Sequence, residues 1–314
     1  MKNVLITGGC GYTGSVLTRN LIEQGYKVKV IDAQWFGNNL TLHKNLKIYK
    51  EDIRKCKSSH FKNIDTVIHL ANIANDPSVE LNPQLSWEVN VLATKRIIEY
   101  SIENKVKKFI YASSGSVYGL KSEKRVTEDL SLIPISTYNK TKMVAESVLQ
   151  SFMNKIKIYI IRPATVCGLS KRMRLDVSVN MFAYQALKKK KITVFGGNQV
   201  RPNIHINDLS RVYQHFIKKN LNPGIYNAGF ENLKISKIAQ FVKNEIDCKI
   251  IKIKKTNDPR SYRQDSSKLI STGFFPLYDV KDAIREIKIE CSKNKSLGGK
   301  KAFTVKWMKK IKIK

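Results

Sequence analysis

The stretch that decides the fold is Val4-Leu5-Ile6-Thr7-Gly8-Gly9-Cys10-Gly11-Tyr12-Thr13-Gly14. A short apolar run leads into Gly8, Gly11 and Gly14, spaced by three residues. Gly8 lacks the Cβ that forbids positive φ, so the chain can turn sharply there. Gly11 lets backbone approach a pyrophosphate, and Gly14 lets the next helix pack closely on the sheet. That helix is predicted over 12–24 and starts at Tyr12 and Thr13. Its first turn offers unpaired N–H groups and the positive end of the helix dipole to phosphates. The next strand, Lys27-Val28-Lys29-Val30-Ile31, ends in Asp32, and no arginine follows closely. An acid there accepts hydrogen bonds from ribose hydroxyls and repels a 2′-phosphate. The order strand, glycines, helix, strand, acid predicts a dinucleotide site for NAD rather than NADP.

A second motif, Tyr138-Asn139-Lys140-Thr141-Lys142, opens a helical pattern over 137–152. Tyr138 and Lys142 are four residues apart and share one helix face. A free tyrosine titrates near 10, too high for a base at neutral pH. A nearby ammonium favours the phenolate, so Lys142 is expected to lower the Tyr138 pKa. Tyr138 then takes a proton from a substrate hydroxyl while hydride leaves for the nicotinamide ring. The strand Lys108-Phe109-Ile110-Tyr111-Ala112 runs into Ser113-Ser114-Gly115-Ser116-Val117-Tyr118-Gly119. Small hydroxyls thus stand at the carboxyl end of a parallel strand, where open α/β sheets bind ligands.

With these motifs in place, the chain resembles the extended short-chain dehydrogenase/reductases of the nucleotide-sugar epimerase/dehydratase group, from Lys2 to about residue 290. Further matching landmarks are His69-Leu70-Ala71-Asn72, Asn90-Val91-Leu92-Ala93-Thr94, Arg162-Pro163-Ala164-Thr165-Val166-Cys167-Gly168 and Arg201-Pro202-Asn203-Ile204-His205-Ile206-Asn207-Asp208. The resemblance implies that Ser114, Tyr138 and Lys142 are catalytic, with Lys142 also holding the nicotinamide ribose. It implies that Asp52 and Ile53 contact the adenine and that Ala71 lies beside the pyrophosphate. Leu70, Asn72, Asn90, Ala112, Ser113, Pro163 and Thr165 are implied to line the same cofactor cleft. Ser114, Thr165 and Arg201 are implied to bind a nucleotide-diphosphate sugar. Arg260, in Asp258-Pro259-Arg260-Ser261-Tyr262-Arg263, is expected to replace a late diphosphate-binding arginine, whose place falls near Thr256.

Departures from the group narrow the reaction. The acidic pair that follows the catalytic threonine in 4,6-dehydratases is Gly115 and Ser116 here, and the glutamate of the decarboxylases is missing there too. No cysteine stands in this segment, as one does in the 3,5-epimerase/reductases. Chemistry at one carbinol remains. The expectation is a 4-epimerase that oxidises C4 to a keto sugar and reduces it again. The alternatives are a 4-dehydrogenase or 4-ketoreductase, and, from another class, a non-catalytic dinucleotide-binding protein on RNA or anionic membrane.

At 314 residues the chain suits a Rossmann-type, doubly wound α/β domain with a smaller discontinuous cap. Strands are predicted near 3–7, 27–32, 46–49, 65–70, 107–113 and 157–162, alternating with helices as a mostly parallel sheet requires. The expected division is 1–167 with 204–229 for NAD, 168–203 with 230–291 for substrate, and a basic tail over 292–314. Met181, Phe182 and Tyr184 in the cap helix predicted over 179–191 read as core rather than as a ligand stripe. Helices like 83–104 and 137–153 pair in homodimers of the group, so a dimer is expected. The net charge of +32 comes with lysines spread along the whole chain, which reads as compositional bias rather than a polyanion-binding stripe. The tail carries nine lysines and no acid. It is expected to be frayed and solvated, the alternative being a short amphipathic helix on nucleic acid or an anionic surface. Five scattered cysteines and an N-terminus running straight into the first strand favour reduced thiols in a cytoplasmic protein. No apolar run approaches a transmembrane length, and the histidines, His205 included, show no metal-binding spacing.

Overall fold

A computed structural model describes residues 2–254, 261–294, 297 and 299–313. Twelve strands run in chain order among these residues: β1 (Asn3–Thr7), β2 (Lys27–Asp32), β3 (Leu46–Lys50), β4 (Thr66–His69), β5 (Lys108–Ala112), β6 (Lys157–Pro163), β7 (Thr165–Cys167), β8 (Lys191–Phe195), β9 (Val200–His205), β10 (Gly224–Ala228), β11 (Glu231–Lys234) and β12 (Lys249–Ile253). The main sheet has the order β10-β6-β5-β4-β1-β2-β3, and every pairing in it is parallel. The order reverses between β1 and β4, so a crevice opens outside their carboxyl ends.

The central strands read as continuous apolar runs because both faces of the sheet are covered. Side chains alternate between faces. Leu5, Phe109, Ile158 and Ile160 pack with Ile97, Ile98, Ala145 and Leu149. Val4, Ile6, Ile110, Tyr159 and Ile161 pack with Leu17, Leu21, Leu209, Val212 and Phe216. One face is covered by α1 (Tyr12–Glu23) and by the later helix Ile206–Lys218, and the opposite face by the run Asp76–Val79 (α2), Pro83–Trp87 (α3), Ala93–Glu103 (α4) and Thr137–Gln150 (α5). A π-turn over Glu88–Leu92 joins α3 to α4.

The cap gathers α6 (Ser178–Lys189), α8 (Ile235–Glu245) and α10 (Val280–Lys293) around Phe182, Ala183, Ile238, Val242, Ile284 and Ile287. Between α6 and α8, helix α7 (Ile206–Lys218) returns to the main sheet, and the single turn α9 (Ser267–Ile270) precedes α10. Phe182 belongs to the cap core, with Met181 and Tyr184 packed against it. Small sheets β11-β9-β7 and β12-β8 complete the cap side; their short, partly exposed strands lack the apolar runs that mark the main sheet.

The C-terminal segment corrects an expectation. Instead of a frayed tail, 300–313 forms a short turn and helix α11 (Thr304–Ile311) lying on the protein. Ala302 and Met308 are each 5% exposed, and Trp307 Nε1 donates to the Trp35 carbonyl at 2.6 Å. The apolar side that a surface-binding helix would need is used internally.

A buried polar network ties β5, α5 and β6 together. The Arg162 guanidinium pairs with Glu146 at 2.6 and 3.0 Å. Glu146 also accepts from Ser113, and Arg162 donates to Tyr118 Oη at 2.8 Å. Tyr118 in turn donates to Asn227 Oδ1, where Gln264 also donates. Arg162→Met should destabilise the protein by about 3–5 kcal/mol, because it strands the Glu146 charge without its partner. Urea midpoints at constant slope check this.

Candidate active site

The crevice at the β1/β4 reversal opens into a cleft of about 700 Å³ between the main sheet and the cap. Its floor is the glycine turn. Gly8 sits at φ +75°, and a Cβ there would stand 2.7 Å from the Ala71 nitrogen; one on Gly14 would stand 2.1 Å from the Gly8 carbonyl oxygen. Gly11 is the N-cap of α1, with no side-chain capping bond and no acid in the first turn, so the helix start keeps its donors for an anion. Tyr12 is a tether here: its hydroxyl donates to the Gly168 carbonyl at 2.7 Å and accepts from Asn180, linking the turn to the cap. Asp32 closes β2. Its carboxylate accepts from the Cys10 and Gln34 N–H groups at 2.9 and 2.7 Å. Burial raises its pKa against those bonds and the charge of Arg172.

Most of the predicted cofactor and substrate residues meet on this cleft. Gly8, Gly11, Tyr12, Thr13, Gly14 and Asp32 line it with Asp52, Ile53, Leu70, Ala71 and Asn72. Ala112, Ser113, Ser114, Tyr138, Lys142, Pro163, Thr165 and Arg201 line the remainder. Asp52 is committed locally: burial opposes its charge, but the Arg54 hydrogen bonds and charge outweigh it and lower its pKa. Asn90 does not line the cleft. Its amide, in the π-turn, accepts from Ile73 N at 2.9 Å and donates to Ile73 O and Thr141 Oγ1, so it braces the loop after β4 from behind. Arg260 lies outside the described residues.

At the other end, Ser136 caps α5 and accepts from Asn139 N at 3.2 Å, which fixes where Tyr138 emerges. The Ser114 side chain hydrogen-bonds to Tyr138. Ser114 also contacts Ser116 Oγ at 2.8 Å, and Ser116 donates to Asn139 Oδ1. Burial pushes Tyr138 up to about 12, against the Ser114 hydrogen bond, the Arg174 charge and the Asn72 amide. Lys142 Nζ donates to the Ala112 carbonyl at 2.6 Å and approaches Tyr111 Oη at 3.4 Å. Burial lowers Lys142 to about 7 despite Glu146. Desolvation is the largest cause of both shifts, raising Tyr138 and lowering Lys142. Arg174, held by Asp176 at 2.8 and 3.1 Å, adds a charge that favours the Tyr138 phenolate.

Several cleft residues escaped the sequence reading. Arg172, Arg174 and Asp176 come from the cap, Trp35 and Phe36 from the loop after β2, and Thr304, Val305 and Met308 from α11. Arg172, Arg174 and Asp176 alternate with Met173 and Leu175, which are buried in the cap core; that alternation was the available signal. No local pattern brings Arg172 to Asp32 across 140 residues (172 − 32).

The profile of the family described as "NAD dependent epimerase/dehydratase family" matches residues 4–229. The chain belongs to that family. A UDP-glucose 4-epimerase of Lactobacillus helveticus is 27% identical over 312 residues, covering 90% of this chain and 94% of that one. A UDP-N-acetylglucosamine 4-epimerase from Methanobrevibacter ruminantium M1, solved with UDP-N-acetylmuramic acid, superposes with a TM-score of 0.86 at 26% identity, over 93% of this chain and 99% of that one. A UDP-glucuronic acid 4-epimerase from Bacillus cereus, solved with UDP-glucuronic acid and NAD, has a TM-score of 0.81 at 28% identity, covering 92% and 99%. Family membership makes this chain an NAD-dependent enzyme of nucleotide-sugar chemistry, an isomerase or related oxidoreductase. The residues present fit NAD. The glycine turn is crowded on every side but the cleft, and the start of α1 carries no cap. The buried Asn72 Oδ1 has no hydrogen-bond partner among the described residues. No helix among those residues is long and apolar enough to cross a membrane.

The Lys142 shift has a pH consequence. Its folded value of about 7 lies below the ordinary 10.5. The unfolded chain therefore binds the extra proton between those values, and this group's contribution to stability rises with pH across that window. Lys142→Met should be more stable than the parent near pH 7, with the gap narrowing toward pH 10. Urea midpoints across that range test the slope.

Proposed function

We propose that the protein is a nucleotide-sugar 4-epimerase that oxidises C4 transiently to a keto sugar and reduces it again. The observation that carries this reading is the Ser114–Tyr138 pair set beside Gly115 and Ser116 instead of carboxylates. A Cβ on Gly115 would meet the Gln264 amide at 3.1 Å, so a buried amide occupies the side where an eliminating acid would stand. Asp76, whose charge raises the Tyr138 pKa, is engaged by Ser136. Chemistry at one carbinol needs no more than the groups present.

In this reading Tyr138 takes the proton of the C4 hydroxyl and returns it, while Ser114 shares the same oxygen and holds it in line. Arg174 and the Asn72 amide favour the phenolate that forms. Lys142, anchored on the Ala112 carbonyl, holds the nicotinamide ribose. The bound NAD supplies the hydride acceptor and donor. Gly8, Gly11, Thr13 and the start of α1 would hold its diphosphate, Asp32 its adenosine ribose, and Asp52 with Ile53 the adenine side. Thr165 and Arg201 face the sugar nucleotide. Residues 1–167 and 204–229 thus carry the cofactor half, and 168–203 with 230–291 the substrate half. Two copies pair through helices 83–104 and 137–153, where Leu92 stands 62% exposed; sedimentation velocity should give a dimer, and Leu92→Lys should shift it toward monomer.

UDP-hexoses incubated with the protein and followed by NMR should give the C4 epimer without net reduced cofactor. Reduced NAD accumulating in step with product would identify a dehydrogenase instead. Tyr138→Phe should lower turnover roughly 10²–10⁴-fold while NAD stays bound; unchanged turnover would remove Tyr138 from the mechanism.

A further inference from the structure

We propose that residues 300–313 are part of the NAD site, a clasp that closes over its adenosine-diphosphate half and keeps the cofactor bound between turnovers. The proposal rests on the epimerase reading for its purpose: an enzyme that returns its substrate at the same oxidation level gains nothing from cofactor exchange.

The clasp crosses the crevice from one wall to the other. On the β2 side, Trp307 Nε1 donates to the Trp35 carbonyl at 2.6 Å, three residues beyond Asp32. The Arg172 guanidinium lies 3.9 Å over the Phe36 ring and donates to Thr304 Oγ1 at 3.1 Å. On the β4 side, α11 packs on α2. Thr304 Oγ1 donates to Asp176 Oδ1 at 3.2 Å, and Asp176 Oδ2 accepts from Asn75 at 2.9 Å. The cap supplies a third anchor, Leu175 N donating to the Ala302 carbonyl at 2.9 Å. Between these anchors Val305 and Met308 form part of the cleft wall together with the glycine turn.

Three separate pieces of chain therefore hold α11 across the β1/β4 reversal, where an open α/β sheet binds its dinucleotide. Lifting the clasp breaks the Trp35 and Asp176 bonds together and draws Met308 out of an apolar seat. Among the described residues none of the clasp hydrogen-bonds or ion-pairs with Ser114 or Tyr138 directly; its link to that pair runs through Thr304, Asp176 and Arg174, and its direct contacts are with the walls of the cofactor cleft.

The test compares NAD dissociation from the full chain, from a chain ending at Asn294, and from the full-length Met308→Asp and Thr304→Val/Trp307→Phe variants. NAD-loaded protein is diluted into NAD-free buffer and retained NAD is followed with time; circular dichroism and the thermal midpoint report the fold. Dissociation should quicken by about tenfold or more in each folded variant, given the bonds and apolar contact removed. A rate equal to the full chain in any folded clasp variant overturns the proposal. The double variant keeps an aromatic ring at 307 and a β-branched side chain at 304 while removing the hydrogen bonds to Trp35 and Asp176, so it decides the matter if the shortened chain does not fold. If the full chain itself exchanges NAD rapidly and the variants exchange faster still, the clasp stands and the epimerase reading falls.

Discussion

A Cβ on Gly14 would stand 2.1 Å from the Gly8 carbonyl, and one on Gly8 would stand 2.7 Å from the Ala71 nitrogen. The end of β1, the start of α1 and the loop after β4 can meet only because those atoms are missing. That contact sets the floor of the cleft. It brings the loop after β4 against the turn, where Thr7 Oγ1 accepts from Ala71 N at 3.3 Å and His69 bridges Thr7 and Thr94. It also places Tyr12 where its hydroxyl can tie the turn to Gly168 and Asn180 of the cap. A bulkier turn would move both walls at once.

The second support is the buried Glu146–Arg162 pair, one helical turn beyond Lys142. It fixes α5 against β5 and β6, and through Ser113 it orders the strand end that presents Ser114. Such a pair is a weak source of net stability, since desolvation offsets most of its attraction. Its value lies in placement, because the Glu146, Arg162, Ser113 and Tyr118 hydrogen bonds fix α5 relative to β5 and β6. Burial raises Tyr138 and lowers Lys142.

Two kinds of wall enclose the cleft. The main-sheet side is built from local motifs whose residues are neighbours in sequence. The cap and α11 side is built from segments that meet only in three dimensions: 172–176, 300–313 and the loop holding Trp35.

Local chemistry written in the chain by itself determined the parallel sheet, the glycine turn, Asp32 at the end of β2 and the Ser114, Tyr138, Lys142 set. Apolar runs, missing Cβ atoms and a four-residue helical spacing act over a few residues, so they are legible without a fold. The tertiary structure alone decided that Asn90 braces the Ile73 loop from behind, that Arg174 of the cap adds its charge to the surroundings of Tyr138, and that Thr304, Val305 and Met308 of the basic terminus line the cleft. Each of these depends on which surfaces are dry and which distant segments share them, and burial is a property of the whole packed chain.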